Sequence, residues 1–485
     1  MKFINKFFAV LVITSMVGCS KFLEEPPEKK NNLEIKNTES LDLLLNYYNI
    51  IFDRSRELIL STDNYGLYKD YYKAKPSTFN SSLQYIVWMP KLLEQQSYYW
   101  EQQYLKISYA NAILASIDKV EGTAEDKKRL LEDAHFLRAY EYFQLAVLYC
   151  LPYSEENRNQ LGLPLKQTLA FDESVKRKTL EETMDFIGSE LELALQTTEA
   201  REKKDLWRIS KPAAMAFAAR YYLYLHDYDK ALFYAEEALK KHSTLIDYES
   251  YFTPFMRTYS SNGGTYSAPN ASSDFQFDEF YLSRMMYNHT LNAVPSEELM
   301  NLYDKTNDFR YKGFFVENYS LNRSGVPGWP AFWQFGSIGL ISGPGTPEMY
   351  LIRAECKARK NDISGAISDL NELRRKRYVN GTYTNLLASD FSGVKNLVQF
   401  VVDERRREFP FTLRWYDIKR INSDPANLLD KITVTRDFYE YDGVDVNVNQ
   451  AKVYSLEPGD KRFAWPIPRI DIQLSRGTIE QNPYD

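Results

Sequence analysis

The sequence predicts a mainly α-helical fold, built from helix–turn–helix pairs that carry a long-loop face and minor β-hairpins. Three observations lead there. Apolar residues recur at three- and four-residue spacing in one segment after another. Residues that cap helices stand where those segments begin. Two of the segments are followed, across a tight turn, by a second helical run, with alanine where the two would touch.

The elements follow in chain order. Lys2 and Lys6 precede the apolar run 7–13, and Met16-Val17-Gly18-Cys19 follows it. A short basic region, a short apolar core and small residues before the cut describe a secretory signal over residues 1–18. The run is too short to span a bilayer, and no later segment reaches 18 apolar residues. Cys19 stands at the expected cut and resembles the acylated cysteine of a bacterial lipoprotein signal. An ordinary signal that happens to contain Cys19 is the alternative. Multiple acyl chains anchor stably where one does not. Loss of residues 1–18 removes Lys2 and Lys6 and moves the formal net charge from −6 to −8. That balance argues against nucleic acid, which needs a basic footprint. Residues 19–38 are polar, with Glu24-Glu25-Pro26-Pro27-Glu28-Lys29-Lys30, and read as an extended tether.

Helices are expected from Thr38 onward. Residues 98–120 place Leu105, Tyr109, Ala112, Ile113 and Ile117 at helical spacing. Thr123 with Asp126 reads as a cap before a helix carrying Leu130, Ala134, Leu137, Tyr140, Tyr142 and Phe143, which stops near Pro152. Residues 179–196 have the stripe Phe186, Ile187, Leu191 and Leu195. Ser210-Lys211-Pro212 opens a small-residue helix with Ala213, Ala214, Ala216, Ala218 and Ala219, and residues 229–240 supply its partner. The same design recurs in residues 347–360 and 363–375. These pairs resemble tetratricopeptide units, but they are not in tandem, so a plain solenoid is not expected.

Residues 242–294 and 316–346 are poor in helical pattern, and the second stretch contains three Pro and six Gly. Loops of this length inside a packed protein are usually functional, and their aromatic content argues against disorder. Residues 431–456 alternate weakly and are expected to hold a short hairpin. Cys150 and Cys356 read as small buried apolar residues rather than a disulfide. Aromatic residues make up 15% of the chain, with 37 Tyr, which suits wet binding surfaces as well as core.

The ordered set of motifs resembles the SusD/RagB outer-membrane nutrient-binding lipoproteins of Bacteroidetes. It runs from Cys19-Ser20-Lys21-Phe22-Leu23 through Ala110-Asn111-Ala112-Ile113-Leu114 and Ala134-His135-Phe136-Leu137-Arg138-Ala139-Tyr140. It continues with Arg208-Ile209-Ser210-Lys211-Pro212, Asp308-Phe309-Arg310 and Glu348-Met349-Tyr350-Leu351. It ends with Arg414-Trp415-Tyr416-Asp417, Trp465-Pro466-Ile467-Pro468 and Gln481-Asn482-Pro483-Tyr484. Departures are Pro410-Phe411-Thr412-Leu413 before Arg414 and Cys150 where Gly is usual. The resemblance implies an N-terminal helical part over residues 39–240 and a C-terminal part over 241–485, forming one compact unit. It also implies a surface lipoprotein, anchored through Cys19, that hands oligosaccharide or peptide to a SusC-like TonB-dependent transporter.

A sugar binder needs aromatic platforms rimmed by a few polar groups. Trp100, Trp415 and Trp465 fall in scaffold-like segments and are expected in the core, while Trp207 fits either role. Trp88, Trp329 and Trp333 remain as ligand candidates. The loops that the resemblance marks as ligand-bearing, 60–100 and 250–345, add Tyr65, Tyr68, Tyr72, Tyr266 and Tyr281. Trp329 and Trp333 are expected on a loop with little helix or strand to bury them. Enzyme signatures are missing from the sequence. His135, His226, His242 and His289 show no metal-ligand spacing, and there is no Gly-x-Ser-x-Gly elbow. Gly343-Pro344-Gly345 reads as a helix entry, not a dinucleotide loop. Asp403-Glu404 beside Arg405, Arg406 and Arg407 reads as an ion-pair network. No metal and no cofactor are expected. A tetratricopeptide interaction scaffold and a glycan hydrolase are the remaining alternatives.

Overall fold

Capping side chains set where most of the long helices begin, because the first turn of a helix has N–H groups with no partner inside it. The structure, a computed structural model, describes residues 35–484 apart from 47–49, 54–55, 81, 93–95, 262–263, 270–276, 287–292, 320–328 and 335–338. The signal, Cys19 and residues 20–34 of the tether lie outside the described residues. Helix α1 (Thr38–Leu45) is capped by Asn37, which accepts from Ser40 N. The short α2 (Lys69–Ala74) precedes two long antiparallel helices, α3 (Tyr98–Ser116) and α4 (Ala124–Tyr149). Thr123 caps α4 by accepting from Asp126 N, as its spacing predicts. α5 (Leu180–Ala194) begins with the reciprocal cap of Thr179 and Glu182.

α6 (Lys211–Tyr224) and α7 (Tyr228–Lys241) form the first helical hairpin. The short α8 (Glu297–Asn301) and α9 (Phe309–Phe314) follow a strand-bearing stretch. α10 (Thr346–Arg359) and α11 (Ile363–Arg375) form the second hairpin, and α12 (Val394–Glu408) and α13 (Arg414–Asn422) pack beside it. Both hairpins turn by the same device. His226 (φ 63°) and Asn361 (φ 64°) adopt the left-handed conformation. The following Asp227 or Asp362 donates its N–H back to Tyr222 O or Lys357 O, and its side chain caps the next helix. Ala231, Ala235 and Ala238 are fully buried, so α7 lies close against α6. The hairpins are far apart in sequence, yet α7 packs directly on α10.

The strands are few and short among the described residues. β1 (Met256–Ser261) pairs with β2 (Gly264–Pro269), β3 (Phe315–Tyr319) with β4 (Trp329–Phe332), and β5 (Val434–Tyr441) with β6 (Val446–Leu456), all antiparallel. The last is the hairpin expected within 431–456. The other two occupy stretches read as loops, because cross-strand partners rather than local composition decide such pairing. Gly343 lies where a Cβ would meet Leu282 O at 2.0 Å, and Gly345 is the N-cap residue of α10, so this motif is a helix entry.

One apolar cluster extends from Phe52 to Ile479 and contains Trp100, Trp415 and Trp465, while Cys150 and Cys356 are free and buried. Trp207 is half-buried, and its Nε1 donates to Asn46 Oδ1. The buried face of α3 differs from the expected stripe. Leu105, Tyr109 and Ala112 are half-buried, and Gln103, Lys106 and Ile107 face the core instead. Gln103 and Lys106 turn inward because Asp53 is there, its Oδ1 accepting from them at 3.1 and 2.7 Å. Glu141 of α4 lies 3.7 Å from Lys106, and burial pushes its carboxyl up to about 7 against that attraction.

Charged side chains also cross-link the body. Arg220 of α6 grips Glu348 of α10 at 2.9 and 2.7 Å. Glu404 accepts from Arg310 at 2.7 Å, from Arg407 at 2.7 Å and from Arg374. Burial alone would raise the Glu404 carboxyl, but Arg374, Arg310 and Arg407 outweigh it and hold it well below the usual range. A folded value below the unfolded one gives stability that is present above about pH 4.3 and lost as pH falls through the folded value. Glu404→Gln is therefore expected to cost about 3 kcal/mol at pH 7, the scale of stranding a buried charge. The loss should shrink in acid. Urea melts of both proteins at pH 7 and at about pH 2.5, inside the window between the unfolded and folded values, check this, and an equal difference at both would refute it.

Candidate functional site

Residues 61–66 are fixed before they reach the site. Arg414 of α13 holds Asp63 at 2.8 and 2.6 Å, and Gly66 N donates to Val294 O. α2 then starts facing α8, and the Tyr68 hydroxyl donates to Pro295 O at 2.8 Å. One turn on, the Tyr71 ring lies flat on the Trp329 indole of β4, with centroids 3.8 Å apart and planes 12° from parallel. Phe79 meets Tyr71 edge-on at 4.7 Å and closes the stack from behind.

These residues wall an open pocket of about 530 Å³. Its aromatic lining is Tyr68, Tyr71, Tyr311 and Trp329, and its polar lining includes Asp70, Glu297, Asn301 and Lys305. Tyr311 comes from α9, stacks on Phe315 at 5.0 Å and donates its hydroxyl to Glu317. Lys305 Nζ lies 5.4 Å over the Tyr311 ring. Lys69, also in the lining, is held by Asp437 of β5 at 2.8 Å. Burial and the carboxylate of Glu297 raise the Tyr68 hydroxyl, and burial and Glu317 raise that of Tyr311. Both phenols stay protonated at neutral pH and serve as donors. The Trp329 indole N–H is buried without an acceptor among the described residues, as an incoming hydroxyl or carbonyl would use.

Aromatic faces beside carboxylates, an amide and an ammonium suit a ligand with C–H faces and hydroxyl edges. Two other cavities lack that combination. One of about 420 Å³ has Asp42, Asp133, Arg129 and Arg208 paired with one another. One of about 610 Å³ has no Trp, Tyr or Phe in its described lining.

Residues 21–223 match the family model described as starch-binding, associating with the outer membrane, and residues 346–484 match that of the SusD family. The chain belongs to the SusD/RagB family. Solved SusD-like structures share the fold at low identity. A SusD-like carbohydrate-binding protein of Bacteroides vulgatus is 19% identical with a TM-score of 0.62, over 92% of this chain and 98% of that one. A SusD superfamily protein of Bacteroides thetaiotaomicron is 17% identical with a TM-score of 0.63, over 92% and 100%. A laminarin-binding SusD-like protein is 16% identical with a TM-score of 0.59, over 92% and 99%. A search of curated proteins finds no match.

Within this SusD/RagB protein the eight candidate aromatics part company. Tyr68 and Trp329 line the pocket. The expectation that Trp329 and Trp333 stand on a loop with little to bury them is corrected. Trp329 lies in β4 and is 3% exposed, and Trp333 follows that strand, is 9% exposed and packs 5.8 Å from Tyr259. Trp88 is likewise in the core: its Nε1 donates to Ser61 O, and the Arg436 guanidinium sits 5.3 Å over its ring. Tyr65 is buried, Tyr281 is fully buried with its hydroxyl on His242 O, and Tyr72 packs edge-on against Phe438 of β5. The backbone of Tyr266 lies in β2 opposite Tyr259, and its side chain lies outside the described residues. Tyr71 and Tyr311 were missed. Tyr71 sat inside the Tyr65–Tyr72 run, and Tyr311 directly followed the Asp308-Phe309-Arg310 motif.

The geometry separates the two pocket aromatics energetically. Trp329→Ala removes a buried, stacked ring and is expected to cost about 3 kcal/mol or more. Tyr68→Ala, at a half-buried position, should cost about 1 kcal/mol. Urea unfolding of both variants checks the order, and equal losses would place Tyr68 in the core as well.

Proposed function

We propose that this SusD/RagB protein captures a glycan in the pocket of Tyr68, Tyr71, Tyr311 and Trp329, without altering it, and passes it to a TonB-dependent transporter of the SusC kind. The observation that carries the reading is the Tyr71–Trp329 stack. With Tyr71 2% and Trp329 3% exposed, the stack meets the pocket as a preorganised margin beside Asn301, Asp70 and Lys305, which can fix hydroxyls. The family is associated with the outer membrane, and the laminarin-binding relative shares the fold. Acylated Cys19 is the proposed anchor, on the cell surface. Peptide is the competing ligand class and is decided by the same measurement.

Isothermal titration against a panel of β-glucans, α-glucans and peptides is the direct test. Tyr68→Ala combined with Asn301→Ala should weaken the best glycan by about 2 kcal/mol, the scale of a hot spot, while leaving the melt near that of the parent. Because stacking is uncharged, affinity should change little between low and high salt. Binding only by peptides, or unchanged glycan affinity in the double variant, would refute the assignment. Incubation with the same glycan should yield no product by chromatography. Cys19→Ala should shift the protein from the membrane fraction to the soluble fraction, and retention in membranes would show the anchor to lie elsewhere.

A further inference from the structure

A further cavity, of about 350 Å³, is built differently from the proposed ligand pocket and lies at the far end of the α3–α4 hairpin. Ser97, which caps α3, and Tyr149, the last residue of α4, both line it. Its floor is the Trp465 indole stacked on Tyr85 at 4.9 Å and 28°. Pro466, Pro468 and Ile472 add further apolar wall. The Trp465 indole N–H is buried without an acceptor among the described residues. Lys91 and Arg469 line the same cavity and form no ion pair among the described residues; Glu57 is the one carboxylate of the lining, with Asp471 and Glu101 beyond it acting on Tyr149. The cavity therefore calls for an apolar side chain on an extended strand, flanked by carboxylates, with a carbonyl or carboxylate to accept from the indole.

The chain contains such a strand outside the described residues. Phe22-Leu23 is followed by Glu24-Glu25 and then Pro26-Pro27, and prolines keep a strand extended. We infer that Phe22-Leu23-Glu24-Glu25 docks in this cavity, with the apolar pair against Trp465 and the two carboxylates toward Lys91 and Arg469. Reach permits it narrowly. The described chain enters at the opposite end of the hairpin, where Lys36 O accepts from Glu121 N. α3 has 19 residues and so covers about 28 Å, and α4 has 26 and covers about 39 Å. From Leu23 to Lys36 an extended chain spans about 43 Å. The tether would then run back along the hairpin nearly taut. If Cys19 carries the lipid, as proposed above, only Ser20 and Lys21 separate it from the docked segment, and the cavity end of the body is turned toward the membrane.

The test uses unlipidated mature protein carrying Cys19→Ser, so it does not depend on the anchor or on the glycan site. Leu23→Cys and Gln96→Cys place thiols on the tether and on the exposed rim of the cavity, while native Cys150 and Cys356 are buried. Mild oxidation should close a disulfide between the two introduced thiols, read as a gel shift and a mass loss. Deleting residues 29–34 leaves about 23 Å of extended chain from Leu23 to Lys36, too short to reach, and the bridge should be lost. A labelled peptide of residues 20–28 should still bind that shortened protein by anisotropy, and Lys91→Glu with Arg469→Glu should weaken it tenfold or more. Equal bridging in long and short tethers, or equal peptide binding to the charge-reversed protein, would overturn the inference. Lys91→Gln, a milder change, gives the same reading at smaller amplitude should the double variant fold poorly.

Discussion

Alternating buried charges hold this protein in register, and the aromatic pocket depends on them. One run passes from Arg220 through Glu348 to Arg405, Asp417, Arg420, Glu355, Arg359 and Asp424. A second joins Glu279, Arg377, Glu408, Arg310, Glu404 and Arg374. Taking so many ions out of water is costly, and each is tolerable only with its partners in place. The forked geometry of arginine therefore fixes distances between helices that apolar packing alone would leave free to slide. Arg310 belongs to α9, so the same contacts that satisfy it set the position of Tyr311 next to it. Arg414 grips Asp63 and thereby sets the stretch that leads to Tyr68. The pocket aromatics come from separate elements and owe their convergence to this frame.

The two helical hairpins show how a repeat can be used without a solenoid. Each needs only a left-handed residue, an aspartate and small residues at the contact. Residues 242–345 are inserted between them, yet α7 and α10 stack as neighbouring units would. The insertion carries β1 to β4, α8 and α9, and with them most of the pocket. Placing the strand-bearing stretch between two rigid hairpins puts the proposed binding surface on a fixed scaffold, as loops on a stable body commonly do.

The helices and their caps were legible because they are local: Thr123 with Asp126, or Ser210 with Pro212, signals a helix start without reference to anything distant. The family resemblance was legible because each of its motifs is short and they recur in order, but of the Glu404 network only the Arg407 contact is local, and its partners Arg310 and Arg374 lie 94 and 30 residues away. The burial of Gln103 and Lys106 was not, because it answers to Asp53, some fifty residues earlier. Trp329 was misread for the same reason. Gly and Pro around it suggest a loop, and only pairing with β3 and the arrival of Tyr71 turn it into buried strand. Tyr71 and Tyr311 could not be told from the other tyrosines, since the difference between core and pocket lies in which face of the ring a remote element covers.

The burial of Trp329 changes what its stack can contribute. A tryptophan free on a loop must be ordered when ligand arrives, and that ordering subtracts from affinity. Here Tyr71, backed by Phe79, holds the indole already, so a ligand at the proposed site would meet a fixed margin and lose little to reorganisation. The same burial leaves less aromatic surface for ligand to cover, which limits the gain per site. A fixed but small platform favours recognition of shape over tight retention. That balance suits a protein whose proposed task ends in release to a transporter, where a ligand held too tightly would never be passed on.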